Sequence, residues 1–131
     1  MPDSYIEKKV YYHDTDSGGA VYYAGYLKNL EEGRSEYCYS RGIDLKALGR
    51  SGTYFVVAHT EVDYKSPARY FDILKVRTQV EKTGTASIHF RQKISKANLS
   101  VLDSKTVWVC VGEDFKPKAI PEEIKKSMQI C

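Results

Sequence analysis

At 131 residues the chain has room for one hydrophobic core, and none for a catalytic domain beside a separate binding domain. Hydrophobic residues at 42% and charged residues at 28% are ordinary for a globular protein, and a net charge of +3 is too small to argue for nucleic acid. A phosphate-bearing small ligand suits that balance equally well. No stretch approaches the roughly 20 apolar residues of a membrane span, and the first residues lack the apolar core of a signal peptide, so the expected location is cytoplasmic. Cys38, Cys110 and Cys131 are odd in number and widely spaced, which argues against a disulfide framework or a zinc site. Cys38 and Cys110 read as core residues, Cys131 as a terminal thiol. His13, His59 and His89 are scattered too, so no metal is expected.

The first element is a strand over Tyr5 to Tyr12, with Ile6, Val10 and Tyr12 on one face. Asp14, Asp16 and the punctuation Ser17-Gly18-Gly19 then form a loop. From Tyr23 the apolar period becomes helical, with Tyr23, Tyr26, Leu27, Leu30, Tyr37 and Cys38 near one stripe. This predicts a helix over Tyr22 to Arg41, capped by Gly42. Gly33 inside it should cost about 1 kcal/mol relative to alanine, and close approach to a sheet is one reason for its presence. Tyr26 and Tyr37 fit a pocket wall or a core, and aromatic residues at helical spacing are more often core.

A short helical turn and loop follow over Ile43 to Gly52. Thr53 to Tyr64 reads as a half-buried strand, with Val56, Ala58, Thr60, Val62 and Tyr64 on one face and Val57, His59, Glu61 and Asp63 on the other. His59 among acidic neighbours fits a proton carrier or, more commonly, a solvated strand histidine. Pro67 breaks the pattern. Two strands, Asp72 to Lys82 and Thr85 to Lys96, turn around Gly84. Leu74, Val76, Thr78 and Val80 share a face matched in kind by Ile88, Phe90 and Ile94. The opposite faces carry Lys75, Arg77 and Gln79, then His89, Arg91 and Lys93, by default a solvent face. After a turn at Ala97-Asn98, a last strand from Val101 to Gly112 contains Val107-Trp108-Val109-Cys110-Val111, which looks buried on both faces. Pro121 precedes a short helix from Glu122 to Met128.

Acidic groups thus sit beside a helix N-terminus, whose first amides have no internal partners and carry partial positive charge. A carboxylate placed there can serve as nucleophile or base while the amides polarise a substrate oxygen. The plainer reading is that Asp14, Asp16 and Ser17 cap the helix and shape the turn. No Ser-His-Asp set or G-x-S-x-G elbow competes for the chemistry.

Two blocks of sequence carry a resemblance. The first comprises Tyr11-Tyr12, Asp14-Thr15-Asp16, Gly18-Gly19, Val21-Tyr22, Tyr26-Leu27, Glu32, Arg34 and Glu36; the second is Phe55-Val56-Val57, then Asp63 through Arg69, and Asp72. In this order they resemble the 4-hydroxybenzoyl-CoA thioesterase family, and within it the bacterial acyl-CoA thioesterase branch associated with the Tol-Pal envelope system. The resemblance implies an α+β hotdog fold spanning residues 1–131, in which an antiparallel sheet of about five strands wraps around a long central helix. It implies hydrolysis of acyl-CoA, with coenzyme A entering as part of the substrate and no further cofactor. Asp16 matches the catalytic carboxylate, as nucleophile or general base, and Asp14 a structural one. The Tyr23 backbone amide would face the thioester carbonyl, with Gly19, Val21 and Tyr22 shaping the approach.

Two departures from the family follow. The branch commonly has histidine at the position of Tyr23, and the family's phosphate-binding basic cluster falls near the uncharged Gly84-Thr85-Ala86. Lys82 and Ser87 are the nearest substitutes, and with His59 they complete the candidate substrate-binding set. The resemblance also implies a homodimer or homotetramer with sites between subunits. A non-catalytic acyl-CoA or acyl-carrier-protein binding module is the alternative on the same fold. Dehydratase chemistry ranks lower, since neither His13 nor His59 stands in the required pattern.

Overall fold

A computed structural model describes residues 4–128. Strand β1 (Ser4–Lys9) alternates half-buried with exposed side chains, as a period of two requires. The sequence carried this strand to Tyr12, but the chain leaves the sheet after Lys9. Tyr12–Asp14 forms a 3-10 turn, and Tyr12 is 79% exposed rather than on the face of Ile6 and the buried Val10. The Asp14 carboxylate accepts the Tyr11 N–H at 2.8 Å, a local bond that competes with strand pairing.

A second 3-10 turn, Tyr23–Gly25, leads directly into helix α1 (Tyr26–Ser40). The helix expected from Tyr22 therefore begins within a residue of that position, though more tightly wound. It ends as expected: Gly42 takes φ 76°, its N–H reaches Tyr39 O at 3.0 Å, and Ile43 N–H reaches back to Cys38 O at 2.9 Å. Helix α2 (Leu45–Arg50) occupies the predicted helical turn, with Asp44 accepting the Lys46 and Ala47 amides.

Strands β2 (Tyr54–Tyr64), β3 (Ile73–Thr83), β4 (Ser87–Lys96) and β5 (Leu99–Val111) complete one antiparallel sheet in the order β1-β3-β4-β5-β2. Helix α3 (Glu122–Ser127) closes the described chain. Strands β3 and β4 fit the reading of their faces: Leu74, Val76, Thr78 and Val80 are buried, as are Ile88, Phe90 and Ile94. Strand β5 has a partner on each side, which explains its apolar run. Its inner face is fully buried through Leu102, Ser104, Thr106, Trp108 and Cys110, while Val107 and Val109 are half-buried.

Strand β2 departs from the expectation. It is an edge strand with no fully buried residue, and a bulge between Val57 and His59 shifts its register against β5. One extra residue inverts the alternation, so Phe55 before the bulge and Val62 after it both turn toward the core.

Helix α1 lies across the sheet and buries Tyr26, Leu30, Gly33, Arg34, Tyr37 and Cys38. A Cβ at Gly33 would come within 2.9 Å of Thr78 Oγ1 and 3.0 Å of both Gln92 Nε2 and Val76 Cγ1, so the glycine marks the close approach its position called for. The apolar core falls into two clusters on either side of this crossing, one around Tyr37, Phe90 and Trp108, the other around Tyr26, Leu30 and Leu102. Between them Gln92 accepts from Arg34 Nη1 at 3.0 Å and donates to Leu30 O at 2.8 Å and Thr78 Oγ1 at 3.0 Å. Tyr26 and Tyr37 are thus core residues, 3% and 1% exposed. Cys38 and Cys110 are also core, and burial pushes the Cys38 thiol up to about 12 despite the nearby Arg34 charge. Cys131 lies outside the described residues.

Candidate active site

The connection from β1 to α1 is held against the connection from β2 to β3. Val10 N–H donates to Asp72 O at 2.9 Å, Phe71 N–H to Val10 O at 2.8 Å, and Val21 N–H to Ala68 O at 2.8 Å. Phe71 adopts φ 67°, a left-handed conformation that a bulky residue rarely takes, at the point where this second connection turns back toward β3. Both segments are therefore fixed where each leaves the sheet.

Within this frame the two aspartates take different positions. Asp14 is half-buried and structural: its carboxylate accepts the Tyr11 amide, Oδ1 lies 3.2 Å from His13 Nδ1, and its carbonyl accepts Tyr22 N–H at 3.1 Å. Asp16 is exposed at the head of the glycine loop. Its amide donates to Ala20 O at 2.8 Å, its carbonyl accepts Gly19 N–H at 3.0 Å, and its Oδ1 accepts Gly18 N–H at 2.9 Å. Gly19 holds φ 81°, which closes this small loop without a Cβ penalty. Among the described residues the Gly18 amide is the sole donor to the Asp16 carboxylate.

The loop then delivers the chain to the turn that opens the helix. Gly25 N–H donates to Tyr22 O at 2.8 Å, so the Tyr23 and Ala24 amides are the leading N–H groups and have no acceptor within the turn itself. Tyr22 and Tyr23 are both exposed, with ring centroids 4.9 Å apart. A hydrogen bond with the Tyr23 hydroxyl raises the pKa of Tyr22, with the Tyr23 charge and slight burial adding to it.

Tyr64, at the end of β2, supplies a contact that sequence reasoning missed: its hydroxyl donates to Tyr23 O at 2.9 Å, and its ring meets those of Tyr23 at 6.4 Å and Tyr26 at 5.9 Å. Beneath them the buried Tyr26 hydroxyl accepts Ala68 N–H at 3.1 Å. Burial raises the Tyr26 pKa, the Ala68 amide opposes that, and the Asp72 and Asp16 charges raise it further, so the phenol stays neutral. In the sequence Pro67 marked only the end of the strand pattern, not that this connection reaches the helix start.

The sequence-predicted residues divide accordingly. Asp16, Gly19, Val21, Tyr22 and Tyr23 come together in one continuous segment, with Val21 buried as a foot for the turn. His59 lies near the middle of β2, exposed, with Nε2 3.8 Å from Glu61 Oε2. Lys82 sits at the far end of β3 and Ser87 at the start of β4, beside the Gly84 turn. Nine residue steps along β3 run from Ile73 to Lys82, about 30 Å of extended chain, so Lys82 and Ser87 are not gathered with Asp16 within one chain. The Asp16 carboxylate and the leading amides of Tyr23 and Ala24 thus lie in one segment, with the carboxylate seven residues ahead of the turn.

Comparison with known proteins identifies the family and the fold. A family model described as the thioesterase-like superfamily matches residues 10–128. The acyl-CoA thioester hydrolase YbgC of Escherichia coli O6:H1 is 36% identical over 118 residues, covering 88% of each chain. A solved structure of a probable thioesterase from Bartonella henselae is 30% identical, with a TM-score of 0.86 over 91% of this chain and 99% of its own. A 4-hydroxybenzoyl-CoA thioesterase mutant solved with 4-hydroxybenzoyl-CoA superposes at a TM-score of 0.91 over 98% of this chain and 100% of its own; at 15% identity that likeness speaks for the fold alone. The chain belongs to the thioesterase-like superfamily and has its hotdog fold.

Proposed function

We propose that this protein hydrolyses acyl-CoA thioesters, with Asp16 as nucleophile or general base and the amides leading into α1 as the electrostatic partner of the thioester carbonyl. The observation that carries the reading is the exposed Asp16 carboxylate, held by the Gly18 amide a few residues ahead of the Tyr23–Gly25 turn. The 36% identity to an acyl-CoA thioester hydrolase supports the same chemistry. In the nucleophilic route Asp16 attacks the carbonyl carbon, coenzyme A leaves as thiolate, and water cleaves the resulting anhydride. In the general-base route Asp16 takes a proton from the attacking water. In both, negative charge grows on the carbonyl oxygen, where a fixed amide donor is commonly worth about 3 to 4 kcal/mol. Thiolate is a good leaving group, so a carboxylate without a serine triad suffices and the reading calls for no metal or redox group.

A second subunit belongs to this reading. The outer edge of β2 is 11 residues long, has no strand beside it among the described residues, and exposes Tyr54, Val57 and Tyr64. Pairing of two such edges would join the sheets into a homodimer, itself able to form a tetramer. Such an assembly would give His59, Lys82 and Ser87 a way to meet a ligand held at the partner's Asp16 loop. No helix among the described residues is long and apolar enough to cross a membrane, and we place the protein with the cytoplasmic acyl-CoA pool.

The test is thiol release from short aliphatic, long aliphatic and benzoyl-type acyl-CoAs by wild type and Asp16→Asn. Asparagine keeps an oxygen for the Gly18 amide and removes the charge, so the turnover number should fall by a factor on the order of 100 or more. Equal rates in the two proteins would sink the catalytic assignment. Tight acyl-CoA binding without turnover by wild type would favour the binding-module alternative.

A further inference from the structure

Tyr64 stands on β2, at the opposite edge of the sheet from β1, which leads into the Asp16 loop. Its hydroxyl nonetheless donates to the carbonyl of Tyr23 at 2.9 Å. That carbonyl belongs to the peptide unit that also carries the Ala24 N–H, next along from the Tyr23 N–H. Donation to one end of a peptide unit draws electron density toward the oxygen and strengthens its N–H as a donor, the cooperative effect seen along hydrogen-bonded chains. The preceding unit is treated alike, since Tyr22 O accepts Gly25 N–H at 2.8 Å. Both leading amides therefore belong to peptides whose oxygens are already engaged.

The phenol is itself constrained. Its ring packs edge-on against Tyr23 with planes at 84° and is tilted at 49° against Tyr26, which is 3% exposed and anchored by the Ala68 amide. Burial, aided by the Tyr23 and Tyr26 charges, raises the Tyr64 pKa, so the hydroxyl keeps its proton well into the alkaline range. Plain packing would need only the ring.

We propose that Tyr64 is a positioning residue for thioester hydrolysis: its hydroxyl fixes and polarises the Tyr23–Ala24 peptide, holding the amides at the head of α1 in the orientation that stabilises the oxyanion. The inference rests on the thioesterase reading. Because the bond acts on charge that develops in the transition state, losing it lowers kcat and leaves KM nearly unchanged.

Tyr64→Phe keeps the ring and removes the hydroxyl. With whichever acyl-CoA wild type turns over, kcat should fall 5- to 20-fold while KM stays within twofold and the thermal midpoint within a few degrees. Replacing Tyr64 by fluorotyrosines of increasing acidity, assayed below their own pKa, should restore kcat in step with acidity. The Ala24 amide nitrogen should shift upfield in the NMR spectrum of Tyr64→Phe as its peptide loses polarisation. Unchanged kcat in Tyr64→Phe, or a fall matched by a rise in KM and a collapse of stability, overturns the proposal. Wild type that hydrolyses no acyl-CoA overturns the thioesterase reading instead. In that case the Ala24 resonance still decides whether the hydroxyl polarises the turn, and an unmoved resonance refutes the Tyr64 inference independently.

Discussion

Gly33 shows how one absent side chain sets the distance between helix and sheet. Alanine there would gain about 1 kcal/mol of helix propensity. Against this, its Cβ would meet the branched Val76 and Thr78 and a Gln92 amide already committed to three hydrogen bonds. Neither β-branched neighbour can rotate away freely, and overpacking of this kind costs about 1 to 3 kcal/mol. Gly33→Ala should therefore cost the protein up to about 2 kcal/mol net, seen as a lower midpoint in urea with unchanged slope. A stabilised variant would mean that α1 lifts off the sheet without penalty. Arg34 beside it is 6% exposed, and burial lowers its pKa with the Glu31 and Cys38 charges opposing that. Its guanidinium shares Gln92 with the crossing and sits 5.9 Å from the Trp108 ring centroid.

At the scale of elements, the connection between β2 and β3 is what ties the Asp16 loop to the sheet, and Asp72 anchors its far end. Asp72 Oδ2 accepts the Arg69 N–H at 2.8 Å and lies 2.9 Å from Lys96 Nζ on β4. Partial burial raises the carboxyl, but the Arg69 amide and the Lys96 ammonium outweigh it and hold the pKa below the ordinary carboxylate value. A carboxylate depressed on folding contributes stability that is present above its unfolded pKa, about 4, and is lost as pH falls through the lower folded value. Acid unfolding of wild type should thus include a stability loss below about pH 4 that is absent from Asp72→Asn. The variant should be less stable than wild type at pH 7, with the gap closing toward pH 2. A gap of constant size across that range would show that the Lys96 contact contributes nothing through charge.

For the whole molecule, the decisive feature is that the sheet ends in the long β2 edge. Unpaired edges of this length invite another strand, and natural proteins cover or charge those they keep free. Light scattering during gel filtration should give at least twice the 14.9 kDa chain mass. Val57→Lys, which puts a charge on an exposed position of that edge, should shift the assembly toward monomer. Wild type that runs as a monomer at micromolar concentration would remove the shared-site reading of His59, Lys82 and Ser87. The activity of Val57→Lys then reports whether Asp16 works alone or needs the second chain.

Local chemistry determined a good part of this in advance. The D-x-D-x-x-G loop and the helical apolar period after it predicted a loop leading into a helix, alternation assigned the inner faces of β3 and β4, and Gly33 announced the close crossing. These follow from neighbours in sequence, through chain geometry and turn chemistry that act within a few residues. Tertiary structure alone decided the rest. The faces of β2 invert because a bulge adds one residue against β5. The Tyr64 hydroxyl finds the Tyr23 carbonyl 41 residues away because the β2–β3 connection is held against the Asp16 loop. Such contacts depend on where the sheet order brings distant segments, and periodicity within one segment carries no record of that order.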